Sequence, residues 1–138
     1  MKFDIKKWLQ SGNEPYQVGY FSFHGSPGAL WFPDGRKAAV TLDDLAEWIG
    51  GRAQGRIIHF GACSVMRLGK VRLEDFRTMT GARAITGYRK DILWDESPAF
   101  ELLMLSALCR FQKLGNAENY LRRTFGGLCD RLGLEIIR

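Results

Sequence analysis

Two apolar runs, each closed by a reactive side chain beside glycine, constrain this chain more than anything else in it: Tyr20-Phe21-Ser22-Phe23-His24-Gly25 and Ile57-Ile58-His59-Phe60-Gly61-Ala62-Cys63-Ser64. Runs this rich in aromatic and β-branched residues suit strands covered on both faces. If they lie side by side and parallel, His24 and Cys63 emerge at one carboxyl edge of one sheet, where open α/β sheets place their sites. A thiol is a strong nucleophile only as thiolate, and an imidazole within hydrogen-bond reach is the common way to form one near neutral pH. The pattern therefore predicts a dyad, with Cys63 as nucleophile and His24 as general base. The alternative for Cys63 is a buried structural thiol, a frequent use of free cysteine. His59 is the competing histidine, but strand alternation sends it off one face below the edge, which predicts a partly buried supporting role.

The remaining chain reads as alternating helices and strands. Ile5, Trp8 and Leu9 share one face of a helix over residues 2 to 11, and the first strand runs from Gln17 to Phe23. A turn at residues 25 to 28, a short strand at 29 to 32, a Pro33-Asp34-Gly35 turn and a return strand at 38 to 41 predict a small ribbon. Thr41 and Asp44 match a capping box that opens a helix with Leu42, Leu45, Ala46 and Ile49 on its apolar face. The cysteine strand at 56 to 61, a loop at 65 to 71, a helix at 73 to 79 and a third parallel strand at 83 to 86 follow. Ser97 as N-cap and Pro98 at the first helical position predict a long helix. Its stripe is Phe100, Leu103, Met104, Ala107, Leu108 and Phe111, broadened by Leu102, Leu105 and Cys109. A last helix from about 117 to 132, with a break at Gly126-Gly127, leads to a strand at 134 to 137.

The His-Gly, spacer, Ala-Cys pattern resembles the caspase-like superfamily of cysteine peptidases, which includes caspases, separases, gingipains and the bacterial CHAT group. Gly81-Ala82-Arg83-Ala84-Ile85-Thr86-Gly87-Tyr88, then Trp94-Asp95 and Ser97-Pro98-Ala99-Phe100, is similar to the CHAT segment that follows the catalytic strand. The resemblance implies one α/β domain over residues 1–138, a three-layer sandwich with a mostly parallel sheet and helices on both faces. It implies a cysteine endopeptidase that cleaves protein substrates by a Cys–His dyad, with the amides of Gly25 and Cys63 as oxyanion hole and no metal or cofactor. It also places substrate recognition between Tyr88 and Ser97, with Tyr88, Asp91, Trp94 and Asp95 as the binding residues. An acid there would select a basic side chain, whereas Arg89 would suit an acidic one. Solvated loop charge is the plainer reading of Asp91, Asp95 and Glu96.

The resemblance also predicts a partner. The strands that flank the histidine strand in that family have no counterpart in residues 1 to 15, so this strand becomes an apolar sheet edge, a pairing site that proteins usually cover. Either a second copy or another polypeptide is expected there, unless the ribbon folds over the edge. A catalytically inactive interaction module of the same fold is the first alternative function.

Composition narrows the rest. At 138 residues, 46% hydrophobic and 25% charged, this is an ordinary globular domain. Cys63, Cys109 and Cys129 are an odd number at wide spacing, which suits a reducing compartment and offers no metal motif; Cys109 and Cys129 read as core thiols. No leader-like or membrane-length apolar stretch is evident, so the expectation is a cytoplasmic protein with no membrane partner. The net charge of +5 raises a nucleic-acid-binding domain as the second alternative. It is disfavoured because the basic residues are scattered, with small groups only at Arg122-Arg123 and around Arg67, Lys70 and Arg72.

Overall fold

The computed structural model describes residues 1–13, 15–32, 39–93 and 95–138. Within them lies a mixed α/β fold of two sheets and five helices. In chain order the elements are α1 (Lys2–Trp8), β1 (Val18–Phe21), β2 (His24–Ser26), β3 (Ala29–Trp31), β4 (Val40–Thr41) and α2 (Leu42–Ile49). Then come β5 (Ile57–Phe60), α3 (Lys70–Thr80), β6 (Ala84–Tyr88), α4 (Glu96–Arg110), α5 (Leu114–Leu132) and β7 (Leu134–Ile137).

The main sheet has the order β1-β5-β6-β7. β1, β5 and β6 are parallel and β7 is antiparallel to β6. Successive side chains point to opposite faces, and each face has its own helical cover. Phe21, Ile58, Phe60 and Ile85 meet Ile5 of α1, Leu45 and Ile49 of α2, and Leu73 and Phe76 of α3. On the other face Tyr88 and Leu134 meet Phe100 and Met104 of α4, and Leu121 and Leu132 of α5. Burial from both sides is why β5 and β6 are buried at every position. Truncating Phe60 to alanine would cost about 3–5 kcal/mol on this packing.

Local chemistry sets several boundaries. Thr41 accepts from the Asp44 amide while the Asp44 side chain accepts from the Thr41 amide, so α2 begins with the expected capping box. Its apolar face, Leu42, Leu45, Ala46 and Ile49, is buried. The ribbon β2-β3-β4 is antiparallel and forms a separate sheet. It is fastened to the loop after Cys63 by the Gly28 amide, which donates to the Val65 carbonyl at 3.1 Å, and to the start of α2 by the Leu42 amide, which donates to the Gly28 carbonyl at 3.0 Å. It does not pair with β1, which remains an edge of the main sheet among the described residues.

Several expectations need correction. The first apolar run is not one strand: β1 stops at Phe21, and His24 opens β2 in the other sheet. α4 starts two residues early, with Asp95 rather than Ser97 at its N-cap and no side-chain cap; Ser97 is buried inside the first turn. Of the proposed stripe, Leu102 is 72% exposed and Leu103 is also exposed, while Glu101 is buried. Cys129 is buried but Cys109 is exposed, so only one of the two is a core thiol. The kink in α5 falls at Phe125, beside the expected Gly126-Gly127. The Pro33-Asp34-Gly35 turn and Ala38 lie outside the described residues.

Candidate binding cleft

Parallel pairing of β1 with β5 brings the chain after Phe21 and the chain after Phe60 out at the same edge. Between them opens a cleft of about 350 Å³. Ser22, Phe23 and His24 form one wall, Gly61, Ala62 and Cys63 a second, and Ile92, Ser97 and Pro98 a third. Tyr20 and Glu101 line its base. The two first walls touch closely: a Cβ on Gly25 would overlap the Cys63 carbonyl oxygen and come within 2.7 Å of Val65 Cγ2. Glycine there lets the ribbon root against β5's outgoing turn. That turn is tight enough to hold the buried Ser64 at φ 45°, a left-handed conformation that L-residues rarely adopt.

His24 and Cys63 share the cleft but form no dyad. The thiol of Cys63 donates to the Ile92 carbonyl at 3.8 Å. His24 is exposed on β2, in register with Trp31 of the ribbon, and its imidazole makes no side-chain hydrogen bond among the described residues. The imidazole that meets an acid is His59, whose Nε2 lies 3.7 Å from Glu101 Oε1 and which pairs with no cysteine. A thiolate nucleophile needs a base within reach, so the expectation of a Cys–His peptidase, and with it a hydrolase, is overturned. The physical reason is the break after Phe21, which carries His24 out of the strand that was to aim it. Without an attacking thiolate, the oxyanion role of the Gly25 and Cys63 amides falls as well.

The expected recognition residues also move. Tyr88 is fully buried beneath the cleft, and Asp91 and Asp95 are exposed outside its lining. Arg89 is spent on the carbonyls of Met66 and Leu68, at 3.2 and 3.1 Å, with Glu135 3.7 Å away. Trp94 lies outside the described residues. From this segment Ile92 and Ser97 reach the cleft, joined by Pro98 just after it.

The polar group at the cleft base is instead Glu101. Register explains how the sheet serves it: Tyr20 stands opposite His59 and His59 opposite Thr86, a polar row across three strands on the α4 face. Thr86 Oγ1 holds His59 Nδ1 at 2.7 Å, and the Tyr20 ring stacks on the imidazole with centroids 5.5 Å apart. Glu101 closes the row from above, accepting from the Tyr20 hydroxyl on Oε2 and from the Tyr88 hydroxyl on Oε1 at 3.2 Å. Gly61 leaves room for this, since a Cβ there would sit 2.8 Å from the Tyr20 hydroxyl oxygen.

Burial pushes the Glu101 carboxyl up, but His59 and the two tyrosine hydroxyls outweigh it and hold the group below the usual glutamate range. The tyrosines move the other way. Burial and then the hydrogen bond to Glu101 push Tyr20 up to about 12, and burial and then the charge of Glu101 raise Tyr88 further. The base of the cleft is therefore a carboxylate whose charged form is favoured by His59 and by two neutral hydroxyls.

Reading the sequence for apolar stripes missed Glu101. A signal was there: Ser97, Phe100, Glu101, Met104 and Ala107 follow helical spacing and are all buried, so an acid at 101 sits on the covered face. Among the described residues, no group of three or more His, Cys, Asp or Glu side chains is arranged to hold a metal ion. None of the described helices is long and apolar enough to cross a membrane.

A family model described as a family of unknown function, DUF6642, matches residues 5–137. The chain belongs to the DUF6642 family. The match runs from within α1 to the end of β7, so both sheets and the whole cleft lie inside the DUF6642 extent. No curated protein and no solved structure matches the chain.

Proposed function

We propose that this DUF6642 chain is a non-catalytic interaction module, a binding version of the caspase-like α/β plan, which takes a peptide segment of a partner protein against β1 and into the cleft. The observation that carries this reading is continuity: the unpaired edge strand β1 runs directly into a cleft wall through Tyr20, Ser22 and Phe23. Because the Gln17 carbonyl accepts from the Ile57 amide at 2.8 Å, alternation turns the peptide groups of Val18 and Tyr20 to the outer edge. Those groups are the template for an added strand. Four residues of edge supply few backbone bonds, so a side chain seated in the cleft must add to them. A second copy pairing β1 to β1 would offer only its own Tyr20 there, already committed to its own Glu101. The caspase-like plan is supported by three parallel strands with helices on both faces and a small ribbon beside their carboxyl edge.

The nucleic-acid reading has no comparable support. Arg52, Arg56, Arg83, Arg89 and Lys90 donate to backbone carbonyls. Arg72 and Arg122, from the two densest basic groups, are paired with Asp43 and Glu118. Much of the positive charge thus serves to close the fold.

A displayed peptide library selected on the folded protein tests the proposal, with hydrogen exchange as readout. Selected peptides should protect the Val18 and Tyr20 amides, and Val18→Pro, tolerated at a strand edge, should weaken them by removing an edge donor. Failure to select any peptide would reject the module, and a concentration-dependent mass in light scattering without peptide would favour self-pairing.

A further inference from the structure

A buried carboxylate needs a counter-charge, because leaving water unpaired is costly. Glu101 is 4% exposed, and its hydrogen bonds come from the hydroxyls of Tyr20 and Tyr88, which carry no charge. They occupy two of about four acceptor sites on the carboxylate. The nearest ionisable cation is His59, whose Nε2 lies within ion-pair reach of Oε1 at 3.7 Å but beyond a hydrogen bond, and this fully buried nitrogen has no hydrogen-bond partner, so the pairing leaves acceptor sites on the carboxylate open. Among the described residues no Lys or Arg forms an ion pair with Glu101. The carboxylate instead faces a cleft with Phe23, Ile92 and Pro98 in its walls. Such a slot suits a flexible alkyl stem that packs on the walls and carries a charged head to the base.

We infer that the cleft is a binding site for an organic cation on an aliphatic stem, a primary ammonium or guanidinium held by Glu101. Its peptide form, a lysine or arginine side chain, rests on the interaction-module reading; its free form, a small alkyl amine or guanidine, does not. The chain's net charge of +5 repels such a ligand at long range, so selection arises at contact. Salt screens the exposed charges far more than a buried pair. Affinity therefore holds or rises with ionic strength, the opposite of binding to a surface acidic patch.

The test titrates folded protein with n-butylguanidinium, n-butylammonium and neutral n-butanol, followed by amide chemical shifts, and adds selected peptides carrying either arginine or citrulline. The cations should bind about tenfold or more tighter than the alcohol, the scale of a hydrogen bond to a charged group, without weakening at high salt. Glu101→Gln should erase that preference. Equal binding of cation and alcohol to the wild type overturns the inference, even if Glu101→Gln does not fold. Peptides that bind alike with arginine or citrulline overturn the cation site and leave the module standing. Cations that bind where no peptide does leave the site standing and reject the module.

Discussion

Replacing Tyr88 by phenylalanine removes one hydroxyl from a fully buried position and leaves the ring packing in place. What is lost is a 3.2 Å hydrogen bond to an ionised carboxylate. Bonds to charged groups contribute roughly 1.5–3 kcal/mol, and no water reaches this oxygen to take over. Tyr20→Phe removes a hydroxyl bonded to the same carboxylate, but Tyr20 is 46% exposed and water can replace it, so its cost stays below about 1 kcal/mol. Urea unfolding at neutral pH measures both, and a double-mutant cycle with Glu101→Gln should return most of the Tyr88 effect as coupling. The pH dependence has a definite sign. Glu101 is held below its ordinary range, so the coupling is fully present above the unfolded value of about 4.3 and is lost as pH falls through the lower folded value. A Tyr88→Phe protein within about 0.5 kcal/mol of wild type at neutral pH would refute this account of the cluster.

Two further outcomes follow from the same geometry. Iodoacetamide should label exposed Cys109 first, half-buried Cys63 more slowly and buried Cys129 last, and His24→Ala should leave the Cys63 rate unchanged; mapping by mass spectrometry checks it, and a Cys63 rate that falls with His24 removed would restore the dyad. Gly25→Ala should destabilise the fold by about 1–3 kcal/mol through overpacking on the Cys63 carbonyl and Val65, so an unchanged urea midpoint would show that ribbon and turn separate freely.

How much of this was legible in the residues depends on what each pattern reports. The Thr41–Asp44 capping box and the stripe of α2 are local hydrogen bonding and local periodicity, and both were readable. The apolar runs of β5 and β6 marked strands because both faces need cover. The run from Tyr20 to His24 shows where such reading stops: hydrophobicity continues through Phe23, but the backbone leaves one sheet and enters another. Nothing in side-chain polarity records which strand an amide will pair with. For the same reason, bringing His24 and Cys63 to one cleft was within reach, whereas the sheet that carries His24, and whether imidazole and thiol point at each other, were not. Glu101 was hidden by a different habit. A search for apolar stripes passes over an acid, although its partners Tyr20, His59 and Tyr88 come from strands distant in sequence and become visible only once register is known.

The cation site proposed for the cleft depends on Glu101 being charged. Carboxyl-carbon NMR of the folded protein, assigned by comparison with Glu101→Gln, measures that charge directly as pH is varied. A Glu101 resonance ionised at neutral pH and titrating below the ordinary glutamate value of about 4.3 is the predicted result. A resonance that is still protonated near neutral pH would contradict it, leaving a neutral cleft base with no reason to select a cation.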